Sequence, residues 1–201
     1  MSAFAQNIDS APVDSDLAQR ILREAMILFG THGYAGTSVR QVVQAAGCTK
    51  PALYYYFTNK EQLFLRTVDA ALAELNVLEQ VVEVQGPVIQ RIVAGLKALQ
   101  THVESDPHVL RLLFRAEMHQ QKGQPEVDFR SFRAQDLDRI QRLLREGVQR
   151  GELREDLNVH DASIALVGTT HMYLQLWLDG TPLPDDFAER MTTLFLHGLS
   201  R

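Results

Sequence analysis

The sequence predicts an all-α protein of about nine helices, with a small three-helix domain at the N-terminal end followed by a larger helical bundle. Two observations carry this. Helix-breaking residues are sparse and widely spaced: Gly33 and Gly36, Gly47, Thr58-Asn59, Gly86-Pro87, Asp106-Pro107, Gly123 with Pro125, Gly151, and Gly180 to Pro184. Between them apolar residues recur three and four apart, and no long stretch alternates apolar with polar as a half-buried strand does.

Each element follows from this punctuation. The first helix starts at Asp14 or Ser15, both good N-caps, and Leu17, Ile21, Ala25 and Leu28 form its apolar stripe. The second runs from about Ser38 with Val39, Val42, Val43 and Ala46 inward, and the third is short, from about Thr49 to Tyr55. The fourth begins after Asn59 and reaches about Val84, using Leu63, Val68, Ala71, Leu72 and Leu75. Helices follow at about 87–105 and 107–121, then a loop from Lys122 to Asp128. A seventh helix at about 129–150 has Leu137, Ile140, Leu144 and Val148 on one stripe; the last two span about 159–179 and 184–199. The expected organisation is a tail over 1–13, a head over 14–60 and a body over 61–201.

Composition bounds the function. At 45% hydrophobic and 22% charged, the chain can build a core and is not a disordered polyelectrolyte. No apolar run approaches the roughly 18 residues of a membrane span, and residues 1–13 lack a basic, then apolar, leader pattern. One cysteine, Cys48, permits no internal disulfide and no Cys-based zinc site, which suits a reducing cytoplasm. Net charge is −5, but it is unevenly spread. Residues 37–66 hold Arg40, Lys50, Lys60 and Arg66 against Glu61 alone, whereas 67–201 hold 14 basic and 20 acidic residues. Phosphate binding needs local positive charge only, so a basic head on an acidic body is compatible with nucleic acid.

The informative segment is TSVRQVVQAAGCTKPALYYYFTNKEQLF, residues 37–64. Two short helices meet at Gly47, where a tight turn needs positive φ, and Pro51 falls in the first turn of the second helix, where a missing N–H costs nothing. That is a helix-turn-helix pattern. Leu53 and Phe57, four apart, turn inward. Thr49, Lys50, Pro51, Ala52, Tyr54, Tyr55 and Tyr56 are left on the outer and flanking faces. Tyrosine hydroxyls and lysine reach phosphates, and Thr or Ala can touch thymine methyls. Two readings stand for Tyr54 (core packing or DNA), for Tyr56 (stacking on the first helix or DNA) and for Arg40 (a solvated cation or a base contact).

The run AAGCTKPALYYYFTNKEQLF, Ala45 to Phe64, with GYAGTSVRQVVQAAG upstream from Gly33 to Gly47, resembles the signature of TetR-family transcriptional regulators over about residues 15–66. The resemblance implies a DNA-binding head, a helical effector-binding body, and repression of a pseudo-palindromic operator by a homodimer. It implies phosphate contacts from Ser38 and Lys60, a base contact from Arg40, a groove-facing start Thr49, Lys50, Pro51 and Ala52, and backbone-contacting Tyr54, Tyr55 and Tyr56. Cys48 departs from the pattern, where an aliphatic residue is usual, and reads as a small buried hydrophobe.

In the body, residues 159–180 are apolar nearly all round, as a helix covered on every side would be, by its own core and by a second copy. The resemblance implies pairing through the last two helices, with Leu166, Leu174, Phe187, Met191, Leu194 and Phe195 as interface candidates. Large or polar residues on apolar faces are candidates for an effector pocket: His102, Phe114, Met118, His119, His171, Met172, Tyr173 and Trp177. The histidines form no i, i+4 pair, so no metal site is expected. No nucleophile motif, GxGxxG, HExxH or spaced carboxylate pair is present, so neither an enzyme nor a cofactor is expected. A helical ligand carrier, or an enzyme with an unused helix-turn-helix, remains the competing class.

Overall fold

The computed structural model describes residues 16–75 and 85–197, with side chains as far as Leu194. The expected tail, the start of the first helix, the stretch 76–84 and the Phe195 side chain lie outside the described residues. Among the described residues the structure is all helical: α1 Asp16–Gly36, α2 Val39–Ala45, α3 Lys50–Tyr56, α4 Lys60–Leu75, α5 Val88–Ser105, α6 Pro107–Met118, α7 Phe129–Gln149, α8 Val159–Leu178 and α9 Phe187–His197. No described helix is long and apolar enough to cross a membrane.

Two compact units result. The first contains the described residues up to Leu72 together with Arg111–Val127, and the second contains Ala73–Leu110 and the residues from Asp128 onward. Compactness therefore draws its line further along α4 than residue 60, and it returns Arg111–Val127 to the N-terminal unit. The core of the first unit is built from Ile21, Ala25, Met26 and Phe29 of α1, Val42 of α2, Leu53 of α3, Phe57 after it, and Leu63, Phe64 and Val68 of α4. In the second, α5 packs on α9 and α7, α7 on α8, and α8 on α9.

Differences from expectation have local causes. α6 stops at Met118 rather than near 121. Gln124 Nε2 donates to the Ala116 carbonyl, closing one of the helix's last free acceptors. α9 begins at Phe187, not 184. Pro184 lies in the preceding turn, where its carbonyl accepts from Phe187 N–H. On α7 the buried residues are Phe129, Leu143, Leu144 and Gly147, while Leu137, Ile140 and Val148 are half-buried, so only Leu144 of the expected stripe is wholly inside. Beside them Arg91 Nη1 of α5 donates to both carboxylate oxygens of Glu146, each at 2.9 Å.

Candidate nucleic-acid interface

The site begins with two helix caps. Ser38 is the N-cap of α2, and its hydroxyl accepts from Gln41 N–H at 3.3 Å. The Gln41 side-chain oxygen in turn accepts from Ser38 N–H and from the Ser38 hydroxyl, each at 2.7 Å. This is a complete capping box. The Ser38 hydroxyl thus anchors the start of α2. Thr49 caps α3 differently. Its hydroxyl accepts from Ala52 N–H at 3.3 Å and keeps its own hydrogen for another partner.

Between the caps lies the turn. Cys48 N–H donates to Val43 O at 3.1 Å and Gly47 N–H to Gln44 O at 3.3 Å, with Gly47 at φ 60°. These are the two bonds of a Schellman motif, and the left-handed residue it requires is the glycine read as the pivot. Cys48 is half-buried, and desolvation pushes its thiol pKa up, so the neutral form is favoured.

The turn presents α3 edgeways. Leu53 and Phe57 are fully buried, whereas Tyr54 is 46% and Tyr55 69% exposed. Thr49, Lys50 and Pro51 are exposed, Ala52 and Tyr56 half-buried. Tyr56 stands edge-on to Tyr55 at 4.9 Å between ring centres. On α2, Arg40 is exposed. The first turn of α4 completes the surface: Asn59 Oδ1 accepts from Gln62 N–H at 2.8 Å, Gln62 Oε1 accepts from Thr58 N–H, and the Lys60 ammonium lies 4.2 Å from the centre of the Tyr34 ring. Burial lowers the Lys60 pKa.

Two side chains far along the sequence fix the end of α1. Arg115 donates to the carbonyls of Gly30 at 3.3 Å and Thr31 at 2.7 Å, bringing a cation to a helix end whose own last turn has none. Gln121 Oε1 accepts from Ala35 N–H at 2.7 Å beyond the kink at Gly33. The buried Thr37 hydroxyl is shared between the Gly33 and Leu28 carbonyls, at 2.9 and 3.1 Å. Sequence reading missed Tyr34, Arg115 and Gln121. Tyr34 was visible as an aromatic beside a breaker; the other two contacts span over 80 residues and leave no local signal.

Comparison with known proteins decides what this surface belongs to. Residues 21–67 match the family of bacterial regulatory proteins named for TetR, and residues 92–195, more than half the chain, match the tetracycline-repressor-like C-terminal domain. The chain belongs to the TetR family. It is a DNA-binding transcriptional regulator, as the signature in residues 33–64 implied. The HTH-type transcriptional regulator AcrR of Shigella flexneri is 26% identical over 168 residues, covering 80% of this chain and 77% of that one. The crystal structure of the TetR-family regulator PfmR from Thermus thermophilus superposes with a TM-score of 0.72 at 26% identity, covering 90% of this chain and all of that one. FadR of Bacillus subtilis, crystallised with stearoyl-CoA, gives 0.71 at 19% identity, covering 90% and 98%, and so shares the fold.

In this TetR-family body the candidates from sequence scatter. Leu166, Leu174, Phe187 and Met191 are buried within their own chain. α8 is apolar all round, and composition does not say which stripe the protomer keeps. The side left in water carries Ile164, Met172 and Leu176, with exposed Gly168 in the same stripe, and Leu194 on α9 is 57% exposed. Of the pocket candidates, Met118, His119 and Met172 are exposed, while His102, Phe114, His171, Tyr173 and Trp177 are half-buried. Tyr173 stands edge-on to Phe187 at 5.4 Å, and His102 Nε2 lies 4.0 Å from Glu74. His171 is held towards its neutral form by burial and then by Arg133. Among the described residues no cluster of three metal-ligating side chains occurs.

Proposed function

We propose that the protein is a cytoplasmic repressor that acts as a homodimer, gripping a pseudo-palindromic operator with two α3 helices and letting go when a small molecule occupies the helical body. The observation that carries this is the sorting of α3: Leu53 and Phe57 wholly inside, Tyr54 and Tyr55 largely outside, beside Thr49, Lys50 and Pro51. Such a helix, seated by its apolar side and edged with hydroxyls and a cation, suits a major groove. Tyr54, Tyr55 and Tyr56 supply phosphate contacts with Lys60, and Arg40 reaches a base edge. At Ser38 the helix start, through the N–H groups of the first α2 turn, serves with the hydroxyl.

Pairing falls to the wet side of the last two helices. Ile164, Met172, Leu176 and Leu194 are large apolar side chains that a monomer leaves in solvent, which suits them to cover one another in a two-fold pair. For the effector, the buried Thr170 Oγ1, His102 Nε2 and His108 Nδ1 support a polar ligand group in the body, because none has a hydrogen-bond partner among the described residues. Release requires only that the effector bind the DNA-incompetent state more tightly. The stearoyl-CoA held by the Bacillus subtilis neighbour makes a long-chain acyl-CoA the first probe.

Mobility-shift titration with duplex from upstream of the protein's own gene, repeated across salt, tests the reading. Specific binding with a steep salt dependence supports it, and indifference to every duplex at low ionic strength overturns it.

A further inference from the structure

Building on the assignment of Lys60 to a backbone phosphate, we propose that Tyr34 is a positioning residue for DNA binding: its ring holds the Lys60 ammonium in place at the first turn of α4. Three observations carry this. The ammonium lies 4.2 Å from the ring centre, within cation–π range. The ring is itself immobilised, because it stands against Phe64 at 5.1 Å and 72° and stacks on Phe29 at 6.1 Å and 18°. Phe29 and Phe64, packed edge-to-face at 5.1 Å, are both buried. Tyr34 is thus a fixed plate on the core of the head, not a side chain that follows the lysine.

The position of Lys60 is what calls for such a plate. A cation in the first turn of a helix faces the positive end of the helix dipole, which disfavours it there. A four-carbon stem in that place would otherwise swing into solvent and lose rotamer freedom on meeting a phosphate. Held over the ring, the ammonium presents one hydrogen to the π face and keeps two for phosphate oxygens. The contact is formed before DNA arrives, so less ordering remains to be done on binding. Tyr34 reaches this place because the chain turns at Gly33, with φ 74°, immediately before it.

The test compares wild type, Tyr34→Phe, Tyr34→Leu, Lys60→Ala and the Tyr34→Leu/Lys60→Ala double variant on one fluorescent duplex from upstream of the gene, across ~50–300 mM KCl. Lys60→Ala should flatten the slope of log affinity against log salt by about one per head. Tyr34→Phe, which keeps the π face, should bind as wild type does. Tyr34→Leu should bind ~5–100-fold more weakly with two heads on the duplex, at an unchanged salt slope, because the charge stays and each lysine must then be ordered on binding. The double variant should match Lys60→Ala within about two-fold, because a positioning role has nothing left to position. If Tyr34→Leu melts within the assay range, Tyr34→Met replaces it under the same criteria. Tighter or unchanged binding by the aliphatic variant, a Phe variant as weak as the Leu one, or losses that multiply in the double variant each overturn the proposal. An unchanged salt slope in Lys60→Ala overturns the phosphate assignment beneath it, whereas a flattened slope with an inert Tyr34→Leu removes the positioning role alone.

Discussion

Replacing Gly33 by alanine should destabilise the first unit by a sum the structure lets one work out. Gly33 sits at φ 74° and ψ 176°, a region that residues with a Cβ scarcely enter, and occupying it costs an L-residue about 1–3 kcal/mol. A Cβ there would also lie 2.5–2.8 Å from the side-chain amide of Gln121, which has to leave. Its departure removes the bond from Ala35 N–H, about 0.5–1.5 kcal/mol. Alanine returns about 0.4–1 kcal/mol by stiffening the unfolded chain. The net loss is about 0.5–4 kcal/mol. Urea unfolding followed by circular dichroism measures it, with Gln121→Ala and the double variant alongside. Gln121→Ala alone should cost no more than about 1.5 kcal/mol, and the double variant should be no less stable than Gly33→Ala, since the amide bond is lost once. A Gly33→Ala variant as stable as wild type, or more so, would refute the strain argument, and additive losses would refute the clash with Gln121.

Other expectations can be checked as directly. Leu53→Ala removes a fully buried side chain from under α3 and should lower stability by about 2–5 kcal/mol in urea unfolding, with DNA binding lost well below the wild-type melting temperature. Met172→Glu and Leu176→Arg alter exposed positions, so each should leave the fold intact yet yield monomers by sedimentation and weaken DNA binding; a dimer that survives both moves the interface elsewhere. His171 has its pKa depressed by burial, so its neutral form belongs to the native state and protons bind the unfolded chain first. Stability should therefore be fully present above the ordinary histidine range and fall as pH drops through about 6.5, more steeply in wild type than in His171→Gln by thermal unfolding. Parallel pH profiles would count against it.

The helices and the head were largely legible because their signals are local. Gly47 announces a left-handed turn, Ser38 and Thr49 announce caps, and Leu53 with Phe57 fixes which way α3 faces. What stayed illegible is whatever depends on another segment's position. The use of the Ser38 hydroxyl turns on how the Gln41 side chain folds back. The holds on α1 come from Arg115 and Gln121, over 80 residues away. On α8 the apolar residues surround the helix, so periodicity cannot divide them between core and water. The structure keeps Leu166 and Leu174 and exposes Met172 and Leu176.

Hydroxyl-radical footprinting of an upstream duplex tests most directly whether the exposed edge of α3 is what meets DNA. Protection should fall in two patches related by a dyad, their centres about one helical turn or a multiple of it apart, and it should fade when Lys50 and Tyr55 are both changed to alanine. Protection that persists in that variant, or a single patch without a dyad, would mean that some other surface of the protein carries the contact.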